Sequence, residues 1–260
     1  MAWHGLAAPA GASDPFAASV PADAYLLKGP GSLIWQRNPN QALAPASLTK
    51  LMTLVLAVRH CRIEDVVTVS AGAGAETGTR LGLKAGEKIH AGSLIAAALL
   101  ASANDACRAL ADHIAGSHER FVAVMNATAR AMGLKATGFA NACGHDARGH
   151  VSSAVDLAAL AEAALQHRLI ADLAAQVHLD IRTIDTGRFF HLTNTNELVG
   201  RYPGAVGLKT GFTPAAGKCL IAAVNRQGQQ VMLVLLNAPQ RWWSATAMLD
   251  AALSARVGQP

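Results

Sequence analysis

"AVGLKTGFTPAAGKCLIAAVNRQGQQVMLVLLN", Ala205 to Asn237, decides the fold. It contains three apolar runs of strand length, "AVGLKTGF", "KCLIAAVN" and "QVMLVLLN", separated only by "TPAAG" and "RQGQ". Links this short join antiparallel neighbours, because a parallel pair needs a crossover of a dozen residues or more. Three antiparallel strands are therefore expected at this end of the chain.

Outward from there, "RWWSATAMLDAALSA" (241–255) closes the chain as a helix, and "LDIRTI" and "RFFHL" form a hairpin around Asp185-Thr186-Gly187. At the other end "AYLLKG" and "SLIWQRN" are two strands around the turn cluster Gly29-Pro30-Gly31. The interior is helical by its three- and four-residue apolar spacing. A helix is expected from about Ser47 to Arg59, and "DVVTVS" (65–70) is a short strand followed by a Gly- and Thr-rich loop through Leu83. "AGSLIAAALLASANDACRALADHIAG" (91–116) is apolar on nearly every side, so it belongs inside the protein, interrupted near Ser102. "HERFVAVMNATARAMGL" and "SAVDLAALAEAALQH" are further helices, with the polar loop "TGFANACGHDARGH" between them. The order is strands, helices, strands, helix. It predicts an α+β fold, an antiparallel sheet built by both ends of the chain with an all-helical lobe inserted.

The chain has 260 residues, 52% hydrophobic and 15% charged, enough for a substantial core and too apolar for disorder. Its net charge of +5 comes from scattered basic residues rather than a run that could follow a phosphate backbone, which argues against a nucleic-acid partner. The best apolar stretch, Leu94–Ala103, is too short to span a bilayer. Residues 1–24 contain no Lys or Arg and do not form a complete secretory signal, so a leader or flexible N-terminus is expected there. Cys61, Cys107, Cys143 and Cys219 are widely spaced without Cys-x-x-Cys, and buried free thiols are their plain reading.

Three short strings carry chemistry. Ser47-Leu48-Thr49-Lys50 puts a hydroxyl and an amine three residues apart on one helix face. A neutral amine there can take the hydroxyl proton, and burial or a second cation favours the neutral form. The plain alternative is that Ser47 caps the helix and Lys50 is a surface charge. Ser102-Ala103-Asn104 places polar groups in a buried helix, where they need partners or a kink facing a cleft. Lys209-Thr210-Gly211 offers a cation, a hydroxyl and an uncrowded strand edge beside which an extended ligand could lie.

These strings in this order make the serine-acylating signature of penicillin-binding proteins and class A β-lactamases. With "PASLTKLMT", "LLASANDACRALADHIAG", "FVAVMNATARAMGL", "SSAVDLAAL", "NTNELV" and "GLKTGFTPAAGKCL", residues 24–250 resemble the type-5 low-molecular-mass penicillin-binding proteins, D-alanyl-D-alanine carboxypeptidases. The resemblance implies a β-lactamase/transpeptidase-like fold acting on peptidoglycan stem peptides without a cofactor or metal, with β-lactams as covalent inhibitors. It implies Ser47 as nucleophile, Lys50 as its base and Ser102 as proton relay. Asn104, Lys209, Thr210, Gly211, Phe212 and Thr213 would hold the substrate, and Arg241 would meet its terminal carboxylate. The backbone N–H groups of Ser47 and Phe212 would form the oxyanion hole. It also implies a bacterial envelope location, periplasmic or secreted.

Longer relatives of that family carry a β-rich second domain and a C-terminal anchor. The expectation here is one two-lobed domain over 25–260 without either. Relatives often read Gly-Leu-Asp where this chain has Gly144-His145-Asp146, and Phe212 stands where some have histidine. A D,D-endopeptidase would use the same residues, and a non-hydrolytic β-lactam sensor would acylate without turnover. A class A β-lactamase needs a deacylating glutamate, for which Glu162 is the nearest candidate. His145, Asp146 and His150 cluster in a loop, and two histidines with a carboxylate can bind zinc, but solvated or structural histidines fit them better.

Overall fold

Alternating side chains sort themselves to two cores on opposite faces of one sheet. The computed structural model describes residues 14–29 and 32–257. Its main sheet contains β1 (Ala24–Gly29), β2 (Ser32–Arg37), β7 (Ala205–Thr213), β8 (Gly217–Arg226) and β9 (Gln229–Leu236) in the order β2-β1-β9-β8-β7, every pair antiparallel. Cys219, Ile221 and Ala223 of β8, with Met232, Val234 and Leu236 of β9, face the helical lobe. Their neighbours Leu220, Ala222, Val224, Val231, Leu233 and Leu235 face the other way, onto α8 (Arg241–Val257). A strand apolar on both sides belongs between two layers, and that is where these lie. Gln227 and Gly228 both have positive φ in the two-residue link of β8 to β9, as a tight hairpin turn requires.

The lobe between the two chain ends holds α1 (Lys50–His60), β3 (Val66–Thr68), α2 (Ala71–Gly74), β4 (Lys88–His90), α3 (Ala91–Leu100), α4 (Asn104–Ala115) and α5 (His118–Ala131). It continues with α6 (Ala154–Leu165) and α7 (Arg168–Ala174), then the hairpin β5 (His178–Arg182) and β6 (Phe189–Thr193), which pairs apart from the main sheet. The alanine-rich α3 is buried along most of its length, as its unbroken apolar sequence demands. Three elements escaped the sequence reading: α2, α7 and β4, which pairs with β3 over three residues.

Residues 14–23, grouped with the leader in the sequence reading, lie against the sheet. Val20 is buried, and Arg37 donates to the carbonyls of Val20 (2.7 Å) and Ala22 (3.0 Å). Residues 1–13, and Pro30 and Gly31 of the first turn, lie outside the described residues. All four cysteines are unpaired, three of them buried. No helix among the described residues is long and apolar enough to cross a membrane.

Candidate active site

The serine of the first string neither caps nor begins a regular helix. Ala46–Thr49 form a 3-10 turn without a side-chain cap, entered through Ala46 at φ +47°, and α1 starts only at Lys50. A left-handed alanine is costly, so the surroundings must hold it. Two glycines do so by backbone approach. A Cβ on Gly144 would stand 2.0 Å from the Ala46 carbonyl oxygen, and one on Gly211 would stand 3.0 Å from the Ser47 nitrogen. Gly211 was expected to leave room for a ligand. Its closest neighbour is the serine turn itself, which fixes β7 against Ser47.

A buried hydrogen-bond chain supports the same turn. The Ala140 N–H donates to His150 Nδ1 (3.0 Å), so the His150 proton sits on Nε2. That nitrogen donates to Thr49 Oγ1 (2.7 Å), and the Thr49 hydroxyl donates to the Ala46 carbonyl (2.8 Å). Burial first, then the His145 charge, push the His150 imidazole down to about 4, so it stays neutral. His150 is a structural group, as the plainer sequence reading held.

Lys50 is no surface charge; it is fully buried. Its Nζ lies 2.9 Å from Ser47 Oγ, 2.7 Å from Asn104 Oδ1 and 2.6 Å from the Cys143 carbonyl. As an ammonium it would donate to all three. As an amine it donates to the two carbonyl oxygens and accepts from the serine hydroxyl. The geometry therefore suits proton removal from Ser47.

The second string breaks the helix, as its polar residues required. Ser102 has φ +59° between α3 and α4 and is buried, and its hydroxyl makes no hydrogen bond among the described residues. Asn104 holds Lys50 through Oδ1 while Nδ2 donates to the Thr77 carbonyl (2.7 Å), tying the lysine to the 77–79 loop. The adjoining Asp105 accepts from the backbone of Leu81 (3.1 Å), Gly82 (2.8 Å) and Leu83 (2.9 Å). The buried acid is thus satisfied by backbone donors.

The third string lies on β7, whose outer edge no strand covers among the described residues. Burial pushes the Lys209 ammonium well below the usual lysine range, and the charges of Lys50 and Arg241 add to it. Lys209 Nζ donates to the Thr210 carbonyl (3.1 Å), and no ion pair reaches it among the described residues. The Thr210 hydroxyl donates to Thr195 Oγ1 (2.7 Å). Phe212 is exposed, and Thr213 Oγ1 donates to Asp146 Oδ1 (2.5 Å). Arg241 Nη1 donates to the carbonyls of Gly211 (3.0 Å) and Cys219 (3.2 Å), so this group braces β7 and β8.

Ser47, Asn104, Cys143, Gly144 and His145 on one side, and Phe212, Thr213 and Pro214 on the other, line a cleft of about 310 Å³. Sequence reasoning missed Thr49, Thr195 and the Cys143 carbonyl. The carbonyl's loop is shaped by Asn141 Oδ1, which accepts from the N–H groups of Gly144 (2.7 Å), His145 (3.0 Å) and Cys143 (3.2 Å). An asparagine three residues ahead of a glycine was the available signal. Glu162 does not line this cleft; it pairs with Lys28 of β1.

Comparison with known proteins identifies the family. The profile of peptidase family S11, described as D-alanyl-D-alanine carboxypeptidase, matches residues 12–240. The Bacillus subtilis D-alanyl-D-alanine carboxypeptidase DacF is 36% identical over 86% of this chain, and the chain spans 59% of that relative's length. A D-alanyl-D-alanine endopeptidase of Pseudomonas aeruginosa is 30% identical over 90% of this chain and 78% of its own. Among solved structures, a D-alanyl-D-alanine carboxypeptidase from Mycobacterium tuberculosis superposes with a TM-score of 0.86 at 28% identity, covering 95% of both chains. The chain belongs to peptidase family S11, the D-alanyl-D-alanine carboxypeptidase family.

Proposed function

We propose that the chain is a serine D-alanyl-D-alanine carboxypeptidase of the bacterial envelope, removing the terminal D-alanine from peptidoglycan stem pentapeptides. The observation that carries this is the contact of 2.9 Å between the buried Lys50 amine and Ser47 Oγ, in a turn pressed against an open strand edge. The substrate lies along β7, its terminal carboxylate meeting Lys209 and Thr210, with Thr213 beside it and Arg241 contributing through Nη2. The missing counter-ion of Lys209 is then the substrate itself.

Lys50 takes the Ser47 proton as Oγ attacks the penultimate D-alanine carbonyl. The backbone N–H groups of Ser47 and Phe212 receive the developing oxyanion. Ser102 relays a proton to the leaving amine, Asn104 orients the acyl amide, and water then hydrolyses the acyl-enzyme. A β-lactam presents a strained amide to the same serine and stays attached. The working unit is one two-lobed domain from about residue 25, in the periplasm or secreted.

A D,D-endopeptidase reading is supported by the Pseudomonas relative. D-alanine release from a stem pentapeptide, run beside a cross-linked dimer, separates the two. Release from the pentapeptide alone supports the carboxypeptidase; cleavage of the dimer alone replaces it.

A further inference from the structure

His145 lines the cleft and is the imidazole among its lining residues. Its side chain is about 38% exposed. Its Nε2 lies 2.8 Å from Glu76 Oε2, so that nitrogen carries a proton and donates to the carboxylate. Glu76 is fixed in turn by Arg108, 3.5 Å away, which pairs with Asp112. The imidazole is thereby anchored by one nitrogen. In the imidazolium form Nδ1 also carries a proton; it makes no hydrogen bond among the described residues and is the donor left for a ligand.

Strand direction decides what meets it. In the reading above, the terminal carboxylate lies at Lys209–Thr210 and the scissile carbonyl at Ser47 and Phe212. The residue preceding D-alanyl-D-alanine then runs on toward Thr213 and Pro214. His145 lines the cleft together with those two residues. It therefore borders the acyl side, away from the leaving D-alanine.

Charge decides the chemistry. Each carboxylate near the cleft is already satisfied internally. Glu76 takes His145 and Arg108, Asp146 takes Thr213 Oγ1 and the Ala215 N–H (3.1 Å), and Asp105 takes the 81–83 backbone. Lys50, Lys209 and Arg241 have no carboxylate partner among the described residues. Lys209 and Arg241 lie behind the cleft lining rather than in it, and their field favours a negative side chain over a positive one. We propose that His145, held by Glu76, is a specificity-determining residue that binds a side-chain carboxylate on the residue preceding D-alanyl-D-alanine. This rests on the carboxypeptidase reading and narrows its substrate class to stem peptides with an acidic third position.

The test uses N-acetyl-2-aminoadipyl-D-Ala-D-Ala and the same peptide with its side-chain carboxylate amidated. D-alanine release gives kcat/KM for each, and fluorescent penicillin labelling is followed in parallel. The wild type should prefer the free carboxylate by about tenfold, the scale of one charge-assisted hydrogen bond. In H145L and in H145Q, which keeps a donor for Glu76 but has no second ring nitrogen, the ratio should fall to about one. The loss should appear in kcat/KM for the acidic peptide, and thermal melts identify a variant that fails to fold. A wild type that treats both peptides alike, or variants that keep the preference, would overturn the assignment while penicillin labelling persists. A wild type that neither cleaves nor takes the label would overturn the carboxypeptidase reading as well.

Discussion

Gly211 and Ser47 belong to different ends of the chain, yet a Cβ on the glycine would stand 3.0 Å from the serine nitrogen. The same Cβ would stand 3.0 Å from Ala46 Cβ, so the contact joins the strand edge to the left-handed turn. In the proposed mechanism this contact sets the separation between the backbone donors of Ser47 and Phe212.

Gly211→Ala should push β7 away from the turn and spread those two donors. The loss should appear in kcat, by about 10²–10³-fold, the effect of removing an oxyanion donor. Overpacking should also destabilise the fold by about 1–3 kcal/mol. Steady-state kinetics beside urea unfolding checks both, and unchanged kcat would refute the coupling.

Lys209 is buried, with no ion pair reaching it among the described residues. Its pKa is lowered, so between its folded and unfolded values the folded chain binds fewer protons and stability rises with pH. Lys209→Met removes that burden and should stabilise by about 1–2 kcal/mol near neutrality, since burying an unpaired charge is unfavourable. The gain should shrink as pH rises through the unfolded lysine value, about 10.4. Activity on D-alanyl-D-alanine substrates should fall at the same time. Thermal melts at pH 7 and pH 10.5 measure the first effect and kcat/KM the second.

His150 gives a dependence at the acid end. Its folded pKa of about 4 lies below the ordinary histidine value, so the folded state favours the neutral ring. The stability attached to that ring is complete above about pH 6.5 and is lost as pH falls toward about 4, an effect of up to about 3 kcal/mol. Protonated Nδ1 can no longer accept from Ala140, and the chain through Thr49 to Ala46 loosens. Urea midpoints at pH 7 and pH 4.5 should fall further apart in the wild type than in His150→Gln. Equal differences would refute this role.

The strands at both ends, the break at Ser102 and the three strings were legible because each leaves a local mark: short apolar runs, polar residues in a buried helix, fixed spacing. The serine turn was not. "PASLTK" reads as a helix start, and only contacts from Gly144 and Gly211, far away in sequence, hold Ala46 left-handed. The Cys143 carbonyl on Lys50 was invisible for a similar reason, since a backbone acceptor has no residue-type signature. The small size of Gly211 was legible, whereas the serine turn packed against it was not. The helix α7 and strand β4 are short enough that local propensity is outweighed by packing.

The central claim is that Ser47, activated by Lys50, forms an acyl-enzyme. The most direct measurement is intact mass after incubation with benzylpenicillin, with peptide mapping of the adduct and D-alanine release from a stem pentapeptide assayed beside it. One penicilloyl adduct, mapped to Ser47, is expected in a protein that releases D-alanine, with both properties lost in Ser47→Ala. An adduct on another residue, or D-alanine release that survives Ser47→Ala, would contradict it.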